Sequence, residues 1–314
     1  MYRYLLRRLG YMLVSLFAIS VVIFVFTQLL PGSAADIRLG TFGTEERVAE
    51  LESELGLDRP MYVQYVDWIT GYVTGDWGRS LIHQKPVTSV VLPRLVRSLF
   101  LAVMTTVLVI CAGIPLGALS GYFDGNRASS GINFLSYLGT SMPEFVSGTL
   151  FLLLFGGPVL TLFPSGGYAP LSAGLLTWFH HLVLPAMTLA IILLAHVVRQ
   201  TRGGTVEALD SEYVRTARLK GLSEWLVLFK HALRNALLPT ITVLALNFGW
   251  LMGSLVVVEE VFTYPGLGRL TVQAIKNRDI ALVQACVMLI STAYILANFV
   301  ADTVYTALDP RIEY

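Results

Sequence analysis

Residues 98–123 read SLFLAVMTTVLVICAGIPLGALSGYF, an uninterrupted stretch without a charged side chain. A helix that crosses the ~30 Å hydrocarbon core of a bilayer needs about 20 mostly apolar residues. This stretch is long enough, and Gly113, Gly117 and Gly121 recur in it every four residues. Glycines at this spacing form a groove in which the backbone of a second helix can approach closely. The stretch therefore predicts a membrane-spanning helix that packs tightly against another helix.

Further regions of the chain are equally poor in charge. The block 128–198 contains only Glu144 and is long enough for two spans, with a break at Gly156-Gly157-Pro158 through Pro164-Ser165-Gly166-Gly167. The other apolar runs are Leu9–Leu30, Thr240–Val258 and Ala281–Ala301. Together with 98–123, these regions predict an all-α polytopic membrane protein with six transmembrane helices.

Composition excludes several other classes of protein. Only 14% of the residues are charged and 55% are hydrophobic, whereas a soluble domain carries about 25% charged residues. The net charge of +1 gives no support for a nucleic-acid partner. Cys111 and Cys286 both lie inside apolar runs, which predicts small buried side chains and neither a disulfide framework nor a zinc site.

The distribution of basic residues predicts the orientation. Arg3, Arg7 and Arg8 precede the first run, and the stretch Arg199–Arg234 holds seven Lys or Arg residues. By the positive-inside rule we expect both termini, the 124–127 turn and the 199–238 segment in the cytoplasm. A signal peptide is the alternative for the first run, with a cleavage site at Ser33-Ala34-Ala35. Its apolar core exceeds the ~7–15 residues of a signal peptide, which favours an uncleaved anchor.

The hydrophilic segment 31–97 would then lie outside the membrane. Thr44 can cap a helix that Gly56 ends, and Pro60 can start a second helix with Tyr65, Ile69 and Tyr72 along one side. Gly75-Asp76-Trp77-Gly78 follows as a turn. The pattern predicts a compact external helical subdomain, whose small core would include Tyr62, Tyr65, Trp68 and Trp77. A solvated linker is the alternative.

The second hydrophilic segment, 199–238, shows helical periodicity on both sides of Gly221. Gly221 is suited to the left-handed position just past a helix end. Ser223 can cap the helix that follows. This pattern predicts a helix, a glycine turn and a helix, which either lie flat on lipid or dock a soluble protein. The predicted apolar faces are Val206, Leu209, Tyr213 and Ala217 before the turn, and Trp225, Phe229, Ala232 and Ala236 after it.

Motifs for catalysis are absent from the sequence. There is no Gly-x4-Gly-Lys-Ser/Thr phosphate loop for ATP and no His-Glu-x2-His motif for zinc. The pair His180-His181 and the lone His196 do not have the spacing of a metal site. The proton relay of a secondary transporter requires acidic or basic residues in several spans. The predicted spans contain only one such residue, Glu144. We therefore expect that this chain is not an enzyme, has no catalytic residues and binds no metal.

The segment 213–223, YVRTARLKGLS, and the segment 231–239, HALRNALLP, closely resemble the coupling segment of permease subunits in peptide-type ABC importers. The resemblance to this dipeptide, oligopeptide and nickel permease family runs almost end to end, and the long 31–97 loop is typical of its B-type subunit, the first of the two permeases. Arg215-Thr216-Ala217 replaces the Glu-Ala-Ala of the general coupling motif, a difference usual in the peptide branch. The other matching motifs are LLPG at 29–32, LGLDRP at 55–60, GDWG at 75–78, EVFTYPGLG at 260–268 and LDPRI at 308–312.

The resemblance implies a type I ABC importer permease fold, with residues 1–314 as one transmembrane permease domain in a bacterial or archaeal plasma (inner) membrane. It implies a homologous second permease, two cytosolic ATPases or one fused ATPase, and an extracytoplasmic substrate-binding protein. ATP and magnesium would belong to the ATPases, and this chain would hold no cofactor. The cargo stays open between peptides, glutathione, nickel and other small solutes, and a secondary transporter is the more distant alternative.

Three sets of residues are candidates for these roles. Glu144, a carboxylate within the membrane, is the candidate for the substrate path, with packing against a neighbouring helix as its alternative role. The aromatic residues of the 31–97 loop are candidates for contact with the binding protein: Tyr62, Tyr65, Trp68 and Trp77. The pattern and the resemblance together predict that the ATPase contact includes Tyr213, Ala217, Arg218, Lys220 and Gly221.

Overall fold

The computed structural model describes residues 2–29, 53, 58–157 and 159–308. The regular secondary structure of these residues is helical, with no strand beyond isolated bridges, which confirms the all-α class. The helices are α1 Tyr2–Gln28, α2 Met61–Thr74, α3 Val87–Tyr122, α4 Arg127–Ser141, α5 Glu144–Phe155, α6 Leu175–Leu209, α7 Glu212–Leu219, α8 Leu233–Val261, α9 Leu267–Lys276 and α10 Ile280–Leu308. A short 3-10 turn, Leu171–Ala173, precedes α6, while a helical turn, Glu224–Leu226, and a π-helical turn, Val227–Ala232, lead into α8.

The described helices include five that are individually long and apolar enough to cross a membrane: they lie in α1, α3, α6, α8 and α10. The sixth predicted span is not a straight helix, because α4 and α5 meet at an angle of 110°. Met142 adopts an extended conformation before Pro143, as the proline ring disfavours the helical conformation in the preceding residue. The pair α4–α5 is therefore either one broken span or a re-entrant loop.

The two ends of the bundle are named after the short helices that lie there, the α9 end and the α7 end. The α9 end carries α9, the Gly75–Pro86 loop and the last residue of α1, Gln28. The α7 end carries α7 and the last residue of α3, Tyr122. The helix α3 starts at Val87, well before the charge-free run, so that Arg94 and Arg97 lie inside a helix at the α9 end.

The predicted glycine groove of α3 is confirmed, and its partner is α6. A methyl group added at Gly113, Gly117 or Gly121 would lie 2.9, 2.6 or 2.7 Å from an atom of the α6 side chains Val197, Thr201 and Thr205, respectively. Real side chains do not approach so closely, so each of these positions requires glycine at the observed helix separation. The tight pair α3–α6 forms the centre of the molecule together with α8.

The two cysteines differ in burial. Cys286 is buried, as predicted, within a cluster at the α9 end that includes Val87 and Leu270. The prediction that Cys111 is also buried was wrong, since its side chain is exposed. Cys111 precedes Gly113 by two residues, or about 200° around a helix, and therefore lies on the side of α3 that faces away from α6.

Within the 31–97 segment, the structure describes residue 53 and residues 58–97. As predicted, α2 starts after Pro60, and Gly75 ends it in the left-handed conformation. The loop after α2 is fixed to the start of α10, because Ser80 Oγ and the Ile82 backbone N–H both donate to Asp279 Oδ2, at 2.6 and 3.2 Å. The helix predicted from Thr44 to Gly56 lies outside the described residues, so the external subdomain stays a prediction.

Candidate functional site

The segment between α6 and α8 folds as a short helix followed by a glycine turn. Gly221 adopts the predicted left-handed conformation with φ +75°, and Ser223 stands at the start of the next helical turn without a side-chain capping bond. The predicted stripe from Val206 to Ala217 does not lie on one helix, because α6 ends at Leu209 and α7 begins after Ser211. Serine and aspartate favour such helix boundaries, and their sequence here is Asp210-Ser211.

A small hydrophobic core holds this segment together. The core contains several alanines, whose short side chains allow the helices to lie close to one another. Ala217, one of the predicted ATPase contacts, is therefore buried beneath the surface that it was expected to form. Ala217 contributes to the shape of the segment and not to its exposed chemistry. The buried members of the core are Ala208, Val214, Ala217, Val227, Ala232 and Ala236.

The other predicted ATPase contacts lie on the surface of the segment. Tyr213, Lys220 and Gly221 are exposed. Arg218 donates two hydrogen bonds to the Glu224 carboxylate, at 3.1 and 3.2 Å, and so bridges the glycine turn. Such a two-pronged guanidinium–carboxylate pair fixes geometry better than a single contact does. The turn therefore presents a defined shape.

An exposed apolar patch was not predicted from the sequence. Leu219 is 82% exposed, and Trp225, Leu226 and Phe229, which follow the glycine turn, are also exposed. The prediction that Trp225 and Phe229 share a face with the buried Ala232 was wrong. The π-helical turn Val227–Ala232 takes more residues per turn than an α-helix does, and this rotates the two aromatic residues away from the face that carries the alanine.

Stacked aromatic rings join this patch to the transmembrane bundle. The rings of Tyr122 and Trp225 lie 5.9 Å apart at 20°, and those of Trp225 and Phe229 lie 5.8 Å apart at 18°. Tyr122 is the last residue of α3, and Leu228, between the two patch residues, is fully buried in a cluster with Ala118 of the same helix. The patch is therefore in direct contact with α3 and continuous with α8.

Glu144 lies at the break in the third span. It is the first residue of α5, half-buried, and its carboxylate lies near the side chain of Ser254 on α8. Gly148, one turn further, is buried close to Thr188 of α6, and a methyl group there would lie 3.3 Å from that threonine. Glu144 therefore lies between α5 and α8 inside the bundle, and its role in the substrate path stays a prediction.

The aromatic residues of α2 pack mainly against the bundle. Tyr65 and Trp68 contact the ring of Phe24 on α1, with ring centres 5.5 and 5.8 Å away. The Trp77 ring stacks on Tyr72 at 5.0 Å. Of the four candidates only Tyr62 is exposed, at 72%, whereas the other three are partly buried. A contact between these residues and a binding protein stays a prediction, and Tyr62 is the member of the set that a partner can reach in this chain.

A buried carboxylate at the α9 end was also missed. Glu259 is fully buried, and its oxygens accept hydrogen bonds from Ser98 Oγ and from the backbone N–H of Arg269, at 2.5 and 3.0 Å. The charge-free run Thr240–Val258 ends directly before it, and nothing in the sequence distinguishes it from the neighbouring Glu260. Next to Glu259, burial raises the pKa of Tyr264, whose hydroxyl donates to the Arg97 carbonyl at 3.1 Å.

The histidines do not form a metal site with other side chains. Across residues 2–29, 53, 58–157 and 159–308, no group of three or more His, Cys, Asp or Glu side chains is placed to hold a metal ion. His181 is hydrogen-bonded through Nδ1 to the Thr177 carbonyl, one turn earlier in α6.

Comparisons with known proteins cover almost the whole chain. Residues 1–102 match the N-terminal family, and residues 113–314 the main family, of the binding-protein-dependent transport system inner membrane component. The chain is 38% identical, over 99% of both proteins, to a probable peptide ABC transporter permease of Sinorhizobium fredii. It is 36% identical to a putative peptide transport system permease of Brucella abortus, over 99% of this chain and 98% of the relative. It is also 36% identical, over 100% of both proteins, to the glutathione transport system permease GsiC of Salmonella choleraesuis. The chain is therefore a multi-pass membrane protein that belongs to the binding-protein-dependent transport system inner membrane component family, the permeases of ABC importers.

Proposed function

We propose that this chain is one of two permease subunits of an ATP-driven importer that moves peptides across a bacterial or archaeal plasma membrane. The observation that carries the proposal is the rigid segment formed by α7 and the turn after it. This segment combines a fixed shape with an exposed apolar patch of Leu219, Trp225, Leu226 and Phe229. Apolar patches on an otherwise polar surface mark places where a partner binds. The partner proposed here is a cytosolic ATPase, and the α7 end is then cytoplasmic.

The contacts of the segment explain how a movement of the ATPases would reach the membrane. The π-helical turn leads directly into α8, Ala208 of α6 belongs to the core of the segment, and the Trp225 ring stacks on α3. At the same end, Arg202 of α6 is paired with Asp124, which follows α3, at 2.5 Å. A ligand shifts a conformational equilibrium only through different contacts in the two states. A displaced segment would thus carry α3, α6 and α8 with it.

Three partners complete the importer in this proposal. A homologous second permease would form the other half of the pathway, and two ATPases, separate or fused, would bind ATP and magnesium. An extracytoplasmic binding protein would deliver cargo at the α9 end. The names of the relatives support peptides as the cargo, because two of them are called peptide permeases and the third is called a glutathione permease, glutathione being itself a small peptide.

Reconstitution in proteoliposomes tests the proposal. The chain, its homologous permease and the ATPases would be inserted together, with ATP on the ATPase side and the binding protein on the other. We expect uptake of a labelled dipeptide or glutathione that requires ATP and the binding protein. Uptake driven by a proton or sodium gradient without the ATPases would instead identify a secondary transporter. Uptake of a nickel chelate but of no peptide would contradict the proposed cargo.

A further inference from the structure

The helix α2 crosses the bundle below its α9 end instead of standing beyond it. Its Tyr65 and Trp68 rings contact Phe24, which lies four residues, or about 6 Å, inside the end of α1 at Gln28. At the other end of α2, the Tyr72 hydroxyl lies near the side chain of Thr292, thirteen residues beyond Asp279 in α10. Both contacts are with helices that are long and apolar enough to span a membrane.

Two hydrogen bonds define how α2 is rotated about its own axis. The Gln28 side chain, at the very end of α1, donates to the side chain of Gln64 at 2.8 Å. The neighbouring Tyr65 hydroxyl instead reaches Ser20, eight residues deeper in α1, at 2.8 Å. The Gln64 side of α2 therefore faces the α9 end of the bundle, and the side beyond Tyr65 faces the middle of the bundle.

The exposed residues of α2 fall on two faces. On the face turned away from the bundle they are polar: Asp67 is ion-paired with Arg59 at 3.4 Å, and Thr70 and Thr74 follow at helical spacing. A second face, beside Tyr65, carries an apolar stripe at helical spacing. Its members are Tyr62, Val66, Ile69 and Val73. Val66 is 55% exposed and Val73 is 79% exposed.

We propose that α2 is an interfacial membrane helix: Val66, Ile69 and Val73 contact lipid acyl chains, while Asp67, Thr70 and Thr74 face water. The helix then has three faces, about 120° apart, for the bundle, the lipid and the water. Interfacial helices bury their apolar face about 5–10 Å into the boundary between headgroups and acyl chains, which agrees with the depth of the Phe24 contact. Tyr62, at the end of the stripe, is a residue type enriched at that boundary.

Lipid fits this stripe better than a soluble protein does. The stripe faces toward the middle of the membrane, beside an α1 whose Val14, Phe17 and Phe26 side chains are exposed in the same way. A soluble binding protein approaches from the water side, where α2 presents Asp67 and the threonines. The exposed apolar surface of α2 therefore continues the lipid-facing surface of α1. The inference depends on the α2 contacts and stays valid whether or not the transported cargo is a peptide.

Site-directed spin labelling in nanodiscs tests the proposal. Single cysteines would replace Val66, Val73, Asp67 and Thr74 in turn, within the assembled importer and in a Cys111→Ser background. We expect labels at 66 and 73 to collide with oxygen, which concentrates in acyl chains, and to be shielded from a water-soluble nickel chelate. The matched labels at 67 and 74, on the same helix, should show the opposite preference.

Two results would overturn the proposal. Free access of the chelate to positions 66 and 73 would show that α2 stands in water, and shielding from both oxygen and chelate would show that a protein covers the stripe. Alkylation by a membrane-impermeant maleimide in intact membranes provides a second measurement on unlabelled cysteines. We expect it to be about tenfold slower or more at 66 and 73 than at 67 and 74, because the reactive thiolate is disfavoured in apolar surroundings. Equal rates at the two pairs of positions would contradict the lipid contact.

Discussion

The carboxylate of Glu259 on α8 accepts a hydrogen bond from the hydroxyl of Ser98 on α3, across 161 residues of sequence, with both side chains buried. The Ser98 hydroxyl also accepts a hydrogen bond from the backbone N–H of Leu267. The second oxygen of the Glu259 carboxylate accepts a hydrogen bond from the backbone N–H of Arg269. Leu267 and Arg269 belong to the first turn of α9, where N–H groups lack partners within the helix. One carboxylate and one hydroxyl thus join α3, α8 and α9 at the end of the bundle that we place outside the cell.

We expect Glu259→Gln to destabilise the protein. The glutamine side chain keeps the volume of the glutamate but loses its charge. Its amide N–H₂ group cannot accept a hydrogen bond, so one of the two donors that face Glu259 loses its acceptor. A hydrogen bond to a charged group contributes about 1.5–3 kcal/mol. Replacement of Ser98 by alanine should have a smaller effect in the same direction. The measurement is the midpoint of thermal unfolding in detergent, followed by fluorescence-detected size exclusion.

Glu260→Gln is the matched control. Glu260 is the neighbouring carboxylate, but it is partly exposed and pairs with Arg269 and Lys276 at 3.6 and 3.4 Å. Exposed pairs of this kind contribute about 0–1 kcal/mol. Equal losses of stability in Glu259→Gln and Glu260→Gln would show that the buried network does not hold the bundle end together.

Gly117→Ala should destabilise the α3–α6 pair. The added methyl group would lie 2.6 Å from Thr201 Cβ and 2.8 Å from the Val198 carbonyl oxygen, so the two helices must separate. Such overpacking costs about 1–3 kcal/mol. Gly131→Ala is the control, because Gly131 is also helical but has no atom within 4 Å of the added methyl group. Alanine there should be neutral or slightly stabilising. If the two variants unfold at the same temperature, the glycine groove does not set the helix separation.

The sequence predicted the spans and the glycine groove because both depend on local pattern. Charge-free runs identify membrane helices without any knowledge of their neighbours, and the spacing of Gly113, Gly117 and Gly121 requires only the geometry of one helix. Pro143 lacks a backbone N–H and was expected to loosen its helix, but the 110° bend there was not predicted, because proline is tolerated within transmembrane helices, as Pro115 and Pro185 are here.

The candidate site was predicted only in part, because its exposed chemistry depends on packing. The glycine turn followed from Gly221, but the π-helical turn at Val227–Ala232 has no sequence signature and determines which side of the chain Trp225 faces. Likewise, the adjacent Glu259 and Glu260 have the same chemistry in the sequence. They differ only in the folded chain, where Glu259 is buried against Ser98 and the first turn of α9, while Glu260 lies at the surface.

Gly221→Pro should uncouple ATP hydrolysis from transport while the spans stay folded. Proline fixes φ near −65°, whereas Gly221 has φ +75°, and it removes the backbone N–H that donates to the Arg218 carbonyl at 2.9 Å. The change is confined to the turn that presents the exposed patch. The measurement is the number of ATP molecules hydrolysed per peptide imported, which should rise several-fold.

Gly125→Pro is the control for the turn. Gly125, with φ +82°, is another left-handed glycine at the same end of the bundle, in the turn between α3 and α4. Proline at this position is equally incompatible with the positive φ angle, but Gly125 lies outside the segment formed by α7 and the turn after it. Should both variants import with unchanged stoichiometry, or lose it equally, the coupling role of the Gly221 turn would be rejected.

Leu219→Asp should weaken binding of the ATPases. A buried carboxylate without a partner at the centre of an apolar contact loses its hydration, and truncations of central contact residues typically cost more than 1 kcal/mol. Leu171→Asp is the control, because Leu171 is also exposed but lies at the opposite end of the bundle. Retention of the ATPases on the immobilised permease, after washing in mild detergent, should fall about tenfold or more for Leu219→Asp alone. Unchanged retention would place the ATPase contact elsewhere on the chain.

Glu144→Gln should lower the import of cationic cargo more than that of neutral cargo. The substitution keeps the side-chain volume but removes the only negative charge between Arg127 and Arg199. A carboxylate inside a membrane protein costs about 2.5–3.5 kcal/mol on insertion scales, so its retention is explained if it meets a positively charged part of the cargo. The measurement is a comparison of uptake rates for a lysine-containing and an uncharged dipeptide in the same proteoliposomes.

Ser254→Ala separates this role from packing. It removes the hydroxyl that lies near Glu144 on α8 but leaves the charge in place. If Glu144 lines the path, Ser254→Ala should change the import of both dipeptides by a similar factor, and only Glu144→Gln should change their ratio. If Glu144 instead serves only to join α5 to α8, the two substitutions should act alike, lowering the import of both dipeptides equally together with the thermal stability. A ratio that stays constant in Glu144→Gln would therefore assign the carboxylate to packing at the break of the third span.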